Sequence, residues 1–217
     1  GHGMATIRYG LIGTGMMGYE HINNLKLMPG AEIAGICDPA PQSIQLAQAF
    51  LGDGLKDTVT VYPDRQAMLG DPKIDAVLVS SPNFTHAEVL RDVIRSGKHV
   101  LCEKPLGLNY GQAKHMAELA DAKGLKNLTP FTYSYMPTAR YIKELLDSGY
   151  IGTPYHLNLR YYTGYGRAGD YLWRFDRSKA GAGAVGDIGS HFMYLAILFY
   201  GKITGVYCLL GQFTHRP

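Results

Sequence analysis

Residues 4–133 of this chain predict an α/β fold: a doubly wound parallel sheet with helices on both faces. Three observations carry the prediction. Short apolar runs alternate with segments of helical period, a glycine-rich turn follows the first run at once, and cap or turn residues separate the pieces. The strands are expected over 7–12, 32–37, 59–62, 76–80, 99–102 and 127–131. Helices are expected over 16–27, 41–50, 64–69, 85–96 and 110–123. Gly30 and Gly97 follow helices, and Asp64 or Thr85 can cap the next N-terminus. A crossover through a helix returns the chain in its original direction, so these strands pair in parallel.

Beyond residue 133 the pattern changes. A helix is expected over 138–148, and residues 154–163 alternate like an exposed strand. His156, Asn158 and Arg160 fall on one face of that strand, and Tyr155, Leu157, Leu159 and Tyr161 on the other. The Gly/Ala-rich residues 181–184 lead into a helix from about Asp187 to Tyr200, and residues 203–213 read as a last strand. Residues 134–217 therefore form a second, α+β unit.

Composition narrows the function. The net charge of +3 comes from 21 basic and 18 acidic residues, with no basic run. That excludes a phosphate-tracking nucleic-acid binder or a polybasic membrane patch. The longest uninterrupted apolar run, residues 192–200, is far below the ~20 residues that cross a bilayer, so no membrane association is expected. Cys37, Cys102 and Cys208 are odd in number and read as small hydrophobes in a reduced protein. Residues 1–3, ahead of Met4, read as a tag remnant, and no signal peptide is recognisable. The cytoplasm is the expected compartment.

The turn Gly13-Thr14-Gly15-Met16-Met17-Gly18 has the spacing of a dinucleotide cradle. The first glycine permits the tight turn, the second lets a pyrophosphate approach the backbone, and the third lets the helix pack on the sheet. The helix from Met16 aims its free N–H groups at the phosphates. Asp38 ends the second strand twenty residues after Gly18, where a carboxylate accepts from an adenosine ribose diol. A turn-forming Asp before Pro39 is the competing explanation. The residues after it, Pro39-Ala40-Pro41-Gln42, offer no cation for a 2′-phosphate. NAD is therefore expected over NADP, by at least about tenfold, given ~1.5–3 kcal/mol for each hydrogen bond to a charged acceptor.

Two later stretches carry a family resemblance: Ser80-Ser81-Pro82-Asn83-Phe84-Thr85-His86, and Gly97-Lys98-His99-Val100-Leu101-Cys102-Glu103-Lys104-Pro105-Leu106. With Asp187 and His191 four residues apart, they resemble the glucose–fructose oxidoreductase/inositol dehydrogenase family, often written Gfo/Idh/MocA. The resemblance implies a Rossmann domain, NAD, and oxidation of a secondary hydroxyl, or the reverse, on a sugar, polyol or related small molecule. It implies that Glu103 reaches the nicotinamide ribose, that Lys104 meets cofactor and substrate hydroxyl, and that the Lys104–Pro105 bond is cis. Ser81, Pro82, Asn83 and His86 would line the nicotinamide pocket, although Asn83 and Thr85 also fit a capped helix start. His191 would exchange the hydroxyl proton, with Asp187 orienting ring or substrate, a role suited to an imidazole near neutral pH. A helix-face ion pair is the competing reading of Asp187 and His191, and without a third ligand at useful spacing no metal is expected.

The same resemblance makes Tyr135, Tyr162, Trp173 and Arg174 substrate-pocket candidates, since aromatic faces stack on sugar rings and Arg donates to hydroxyls. Core or interface packing explains any one of those tyrosines equally well. Relatives carry a second domain on a large, open, mostly antiparallel sheet that commonly pairs subunits. Only its first elements are expected before Pro217, so the full-length protein is expected to be longer and a homo-oligomer. A non-catalytic NAD-binding sensor of the same fold is the rival from another functional class.

Overall fold

A computed structural model describes residues 5–164 and 173–211. The chain divides into two compact units, residues 1–130 and 131–217.

Among the described residues the first unit holds six strands: β1 (Ile7–Ile12), β2 (Ala31–Cys37), β3 (Thr60–Val61), β4 (Ala76–Val79), β5 (His99–Cys102) and β6 (Asn127–Leu128). They pair in parallel in the order β3-β2-β1-β4-β5-β6, the doubly wound order whose direction reverses between β1 and β4. Five helices connect them: α1 (Met16–Lys26), α2 (Pro41–Leu51), α3 (Arg65–Gly70), α4 (His86–Ser96) and α5 (Tyr110–Ala122). Alternation along each strand fills two cores. Leu11, Ile33, Ile36 and Leu78 meet Ile22 and Leu25 of α1 and Ala47 and Leu51 of α2. On the opposite face, Ile12, Val77, Val79, Val100 and Cys102 meet Met68 of α3, Val89, Leu90, Val93 and Ile94 of α4, and Met116 of α5. Each such side chain fully buried is worth ~1.5–3 kcal/mol, so both faces hold the sheet.

Helix starts follow the expected chemistry with one exception. Asp64 Oδ1 accepts from Ala67 N–H (2.8 Å) and Asn109 Oδ1 from Gln112 N–H (3.0 Å). Thr85 does not cap α4. A 3-10 turn, Asn83–Thr85, precedes that helix, and Thr85 Oγ1 turns back to lie 2.7 Å from both Ser81 Oγ and Pro82 O.

The second unit contains the 3-10 turn Thr132–Tyr135, α6 (Pro137–Asp147), the 3-10 turn Trp173–Phe175, α7 (Arg177–Ala180), a π-helical turn Val185–Gly189, and α8 (Ser190–Tyr200). α8 packs on α6 and on the turn Thr132–Tyr135. The strands expected at 154–163 and 203–213 are not formed: residues 154–164 and 201–211 carry no ladder, and the end of the second expected strand, 212–213, lies outside the described residues. An alternating pattern becomes a strand only beside a hydrogen-bonding neighbour, and no described segment supplies one. The short apolar run also understates the apolar stretch around the last helix. Ser178–Tyr200, 23 residues that take in most of α7, the π-helical turn and α8, is by length and composition long and apolar enough to cross a membrane. Its small residues supply that length, while Lys179, Asp187 and His191 interrupt it with polar groups.

Candidate functional site

Backbone hydrogen bonds extend the ladders past the carboxyl ends of the strands, among them Gly13 N–H to Cys37 O, Ser80 N–H to Ile12 O, and Glu103 N–H to Val79 O, each 2.9 Å. They align Gly13, Asp38, Ser80 and Glu103 along one edge, the crevice where open α/β sheets take ligands.

The glycine turn is built as its spacing predicts. Gly13 has φ +91°, and a Cβ there would lie 2.5 Å from Ser81 N and 2.7 Å from Ser80 C, so only glycine fits. At Gly18 a Cβ would lie 2.7 Å from Gly13 O, which also accepts a 2.7 Å hydrogen bond from Ser80 Oγ. Gly15 differs from both. A Cβ there would have nothing within 4 Å, so the start of α1 opens onto free space, with Met16 exposed beside it. That opening, at a helix N-terminus with no side-chain cap, fits a dinucleotide pyrophosphate. Thr14 is fully buried, and its hydroxyl has no protein partner.

Asp38 makes the turn expected before Pro39 and adds a second tie. Oδ1 accepts from Ala40 N–H (2.8 Å), the turn-forming role, and Oδ2 accepts from Thr14 N–H (2.8 Å), tying the glycine turn to the end of β2. The carboxylate keeps lone pairs for a ribose diol.

Around Glu103 the structure adds two histidines with roles the sequence did not reveal. The Lys104–Pro105 bond is cis, as the resemblance implies. Glu103 is 7 % exposed; its Oε1 lies 2.7 Å from His21 Nε2, and Oε2 accepts from Lys104 N–H at 3.2 Å. His21 shares the sheet-facing stripe of α1 with Gly18, Ile22 and Leu25, and a histidine on a buried stripe was its only sequence signal. His86 corrects an expectation. It is completely buried, with Nδ1 2.8 Å from Pro105 O and Nε2 2.8 Å from Ser81 O. It therefore clasps the loops after β4 and β5 from beneath instead of touching a ligand. A neutral ring donates to one carbonyl and only the imidazolium donates to both. Burial pushes the ring below its ordinary value, against the two carbonyls that favour the charged form. Burial also raises the thiols of Cys37 and Cys102, which keeps them inert.

In the second unit His191 sits in an aromatic cluster. Its ring stacks on Tyr133 (4.3 Å between centroids, 11° between planes) and meets the edge of Phe131 at 6.1 Å; Phe131 stacks on Tyr194 at 4.5 Å. Asp187 lies on the π-helical turn that leads into α8, a wider turn of the kind often found at functional sites. The regular helix expected from Asp187 thus begins only at Ser190. Of the substrate candidates, Tyr135 and Tyr162 are largely exposed, and Arg174 lies 5.1 Å above the Trp173 ring. Tyr133, which contacts His191 directly, was missed because nothing separates it in sequence from its neighbours Phe131 and Tyr135.

A β3-β2-β1-β4-β5-β6 sheet with a glycine turn at its switch point defines the dinucleotide-binding class of α/β proteins. Residues 7–130 match the family described as the Gfo/Idh/MocA oxidoreductase family, NAD-binding Rossmann fold, and residues 139–217 match its C-terminal domain. The chain belongs to this family. It is 28 % identical to levoglucosan dehydrogenase of Pseudarthrobacter phenanthrenivorans, covering 99 % of this chain and 56 % of that protein. Inositol 2-dehydrogenase 3 of Saccharopolyspora erythraea is 38 % identical over 69 % of this chain and 43 % of its own length. Among solved structures, a levoglucosan dehydrogenase complex with NADH and levoglucosan superposes with a TM-score of 0.79 at 27 % identity, covering 91 % of this chain and 55 % of that one. The chain thus spans about half the length of these relatives.

Proposed function

We propose that the protein is an NAD-dependent dehydrogenase or reductase acting on a secondary hydroxyl or carbonyl of a sugar, polyol or related compound. The observation that carries this reading is the glycine turn, where Gly13 and Gly18 are sterically obligatory while Gly15 alone faces open space. The relatives named levoglucosan dehydrogenase and inositol 2-dehydrogenase support the substrate class. NAD, when bound, supplies the carbon that accepts or returns a hydride.

This chain's residues do the rest. The backbone N–H groups of Gly15–Met17 at the start of α1 hold the phosphates, Asp38 accepts from the adenosine ribose, and Glu103 accepts from the second ribose. Ser81, Pro82 and Asn83 shape the nicotinamide side, with His86 holding their loop. Lys104 lowers the cost of negative charge developing on the substrate oxygen, and His191 takes or returns the hydroxyl proton. Asp187 favours the imidazolium, and the face of Tyr133 fixes the ring plane. Trp173, Arg174, Tyr135 and Tyr162 remain the substrate-side candidates. The same reading places the protein in the cytoplasm and makes it a homo-oligomer. Exposed Tyr155, Val206, Tyr207 and Leu209 are consistent with a covered surface.

The test is turnover of NAD with a polyol and anhydrosugar panel, followed by nicotinamide absorbance. Lys104→Ala and His191→Ala should each lower kcat by ~10²–10⁴ with NAD affinity nearly intact. Near-normal turnover in both variants would remove the catalytic assignment, and NAD binding without turnover on any substrate would favour a sensor.

A further inference from the structure

We propose that His21 is a positioning residue of the cofactor site, bracing Glu103 so that its carboxylate faces the nicotinamide ribose. The proposal rests on the reading above, in which Glu103 serves that ribose. The His21 and Glu103 side chains are only 13 % and 9 % exposed, and 2.7 Å separates Nε2 from Oε1. A carboxylate only accepts, so Nε2 is the ring nitrogen that carries the proton in this contact. At that length and burial it is a strong, charge-assisted hydrogen bond, and removing the donor would strand a buried carboxylate.

The other contact of the carboxylate is weaker. Lys104 N–H reaches Oε2 at 3.2 Å and comes from the next residue, so it restrains the side chain little. His21 is the donor that spans from another element, 82 positions away in sequence. With these two bonds made, about half the ~four lone-pair sites of a carboxylate remain for ribose hydroxyls.

The brace also links the two halves of the site. His21 lies on α1, the helix whose start opens at Gly15. Gly18, one turn before His21, sets how closely that helix approaches the sheet, because its absent Cβ would strike Gly13 O. One rigid helix thereby presents its N-terminus to the phosphates and its second-turn imidazole to Glu103.

Calorimetric titration of NAD and ADP tests the brace, since ADP contains only the adenosine and phosphate half. His21→Ala should bind NAD about tenfold more weakly or worse, as expected for a lost hydrogen bond to a charged group, and bind ADP within about twofold of wild type. His21→Gln, whose amide N–H can replace Nε2–H, should recover most of the NAD affinity. In a Glu103→Ala background, His21→Ala should have no further effect, because both changes remove one contact. Circular dichroism checks folding; if His21→Ala does not fold, the Gln variant and the Glu103→Ala pair with His21→Gln carry the same comparison. Equal weakening of NAD and ADP in a folded His21→Ala protein, unchanged NAD affinity, or no rescue by Gln would each overturn the brace. Wild type that binds ADP but not NAD would overturn the parent reading of Glu103, whatever the variants do.

Discussion

The two units satisfy their sequence patterns very differently. In the first, a helix returns the chain to the sheet after each of β1–β5, so every strand finds a parallel partner, and all but the crossover from β3 to β4 set the next strand beside the last. In the second, α8 finds α6 and the turn Thr132–Tyr135, but residues 154–164 and 201–211 take no regular structure and expose large apolar side chains. Local periodicity specifies a helix almost by itself, whereas a strand also needs an edge to pair with.

Amide hydrogen exchange should expose the widest gap. In the dilute, monomeric chain, amides of β1 and β4 should exchange only through near-global opening, and those of 154–164 and 201–211 at close to free-chain rates, at least ~10³-fold apart. Comparable protection in both would mean that the second unit's strands are paired in solution.

Two glycine variants separate folding from binding within the first unit. Gly13→Ala forces a Cβ into the backbone of Ser80 and Ser81 at positive φ and should cost at least about 2 kcal/mol in urea unfolding. Gly15→Ala meets no protein atom, so stability should stay within about 0.5 kcal/mol while the methyl obstructs the phosphates and weakens NAD roughly tenfold. If Gly15→Ala binds NAD normally, the phosphates do not lie there.

A smaller effect concerns acid. Arg8 Nε and Nη2 hold both oxygens of Asp75 at 2.9 Å, and that hydrogen bonding, opposed by partial burial, lowers the Asp75 carboxyl to about 2. A depressed carboxyl stabilises the fold fully above its unfolded value near 3.9 and loses that contribution as pH falls toward about 2. Asp75→Asn should therefore lower Tm modestly at pH 7 and by progressively less between about pH 4 and pH 2. An equal loss at both ends of that window would point to packing instead of charge.

Most of the first unit was legible because its signals are local: apolar runs of strand length, glycines whose spacing has one mechanical use, and an Asp at a strand end. The missing part was the connection between such signals. His21 and Glu103 are far apart in sequence, and only the sheet order brings them together. His86 sat in a recognisable motif, yet its orientation, inward to two carbonyls, depends on the turn at Pro105. The π-helical turn at Asp187 and the stack of Tyr133 on His191 depend on how α8 seats against its neighbours, which residue spacing does not encode.

The central claim is that the glycine turn and Asp38 form an NAD site. Parallel titration of wild type and Asp38→Ala with NAD and NADP tests it most directly. Wild type should bind NAD at least about tenfold more tightly than NADP, because the carboxylate accepts from the ribose diol and repels a 2′-phosphate. Asp38→Ala should weaken NAD and narrow that gap, though it also frees Thr14 N–H from its tie. Wild type binding NADP as tightly as NAD, or binding neither, would contradict the account.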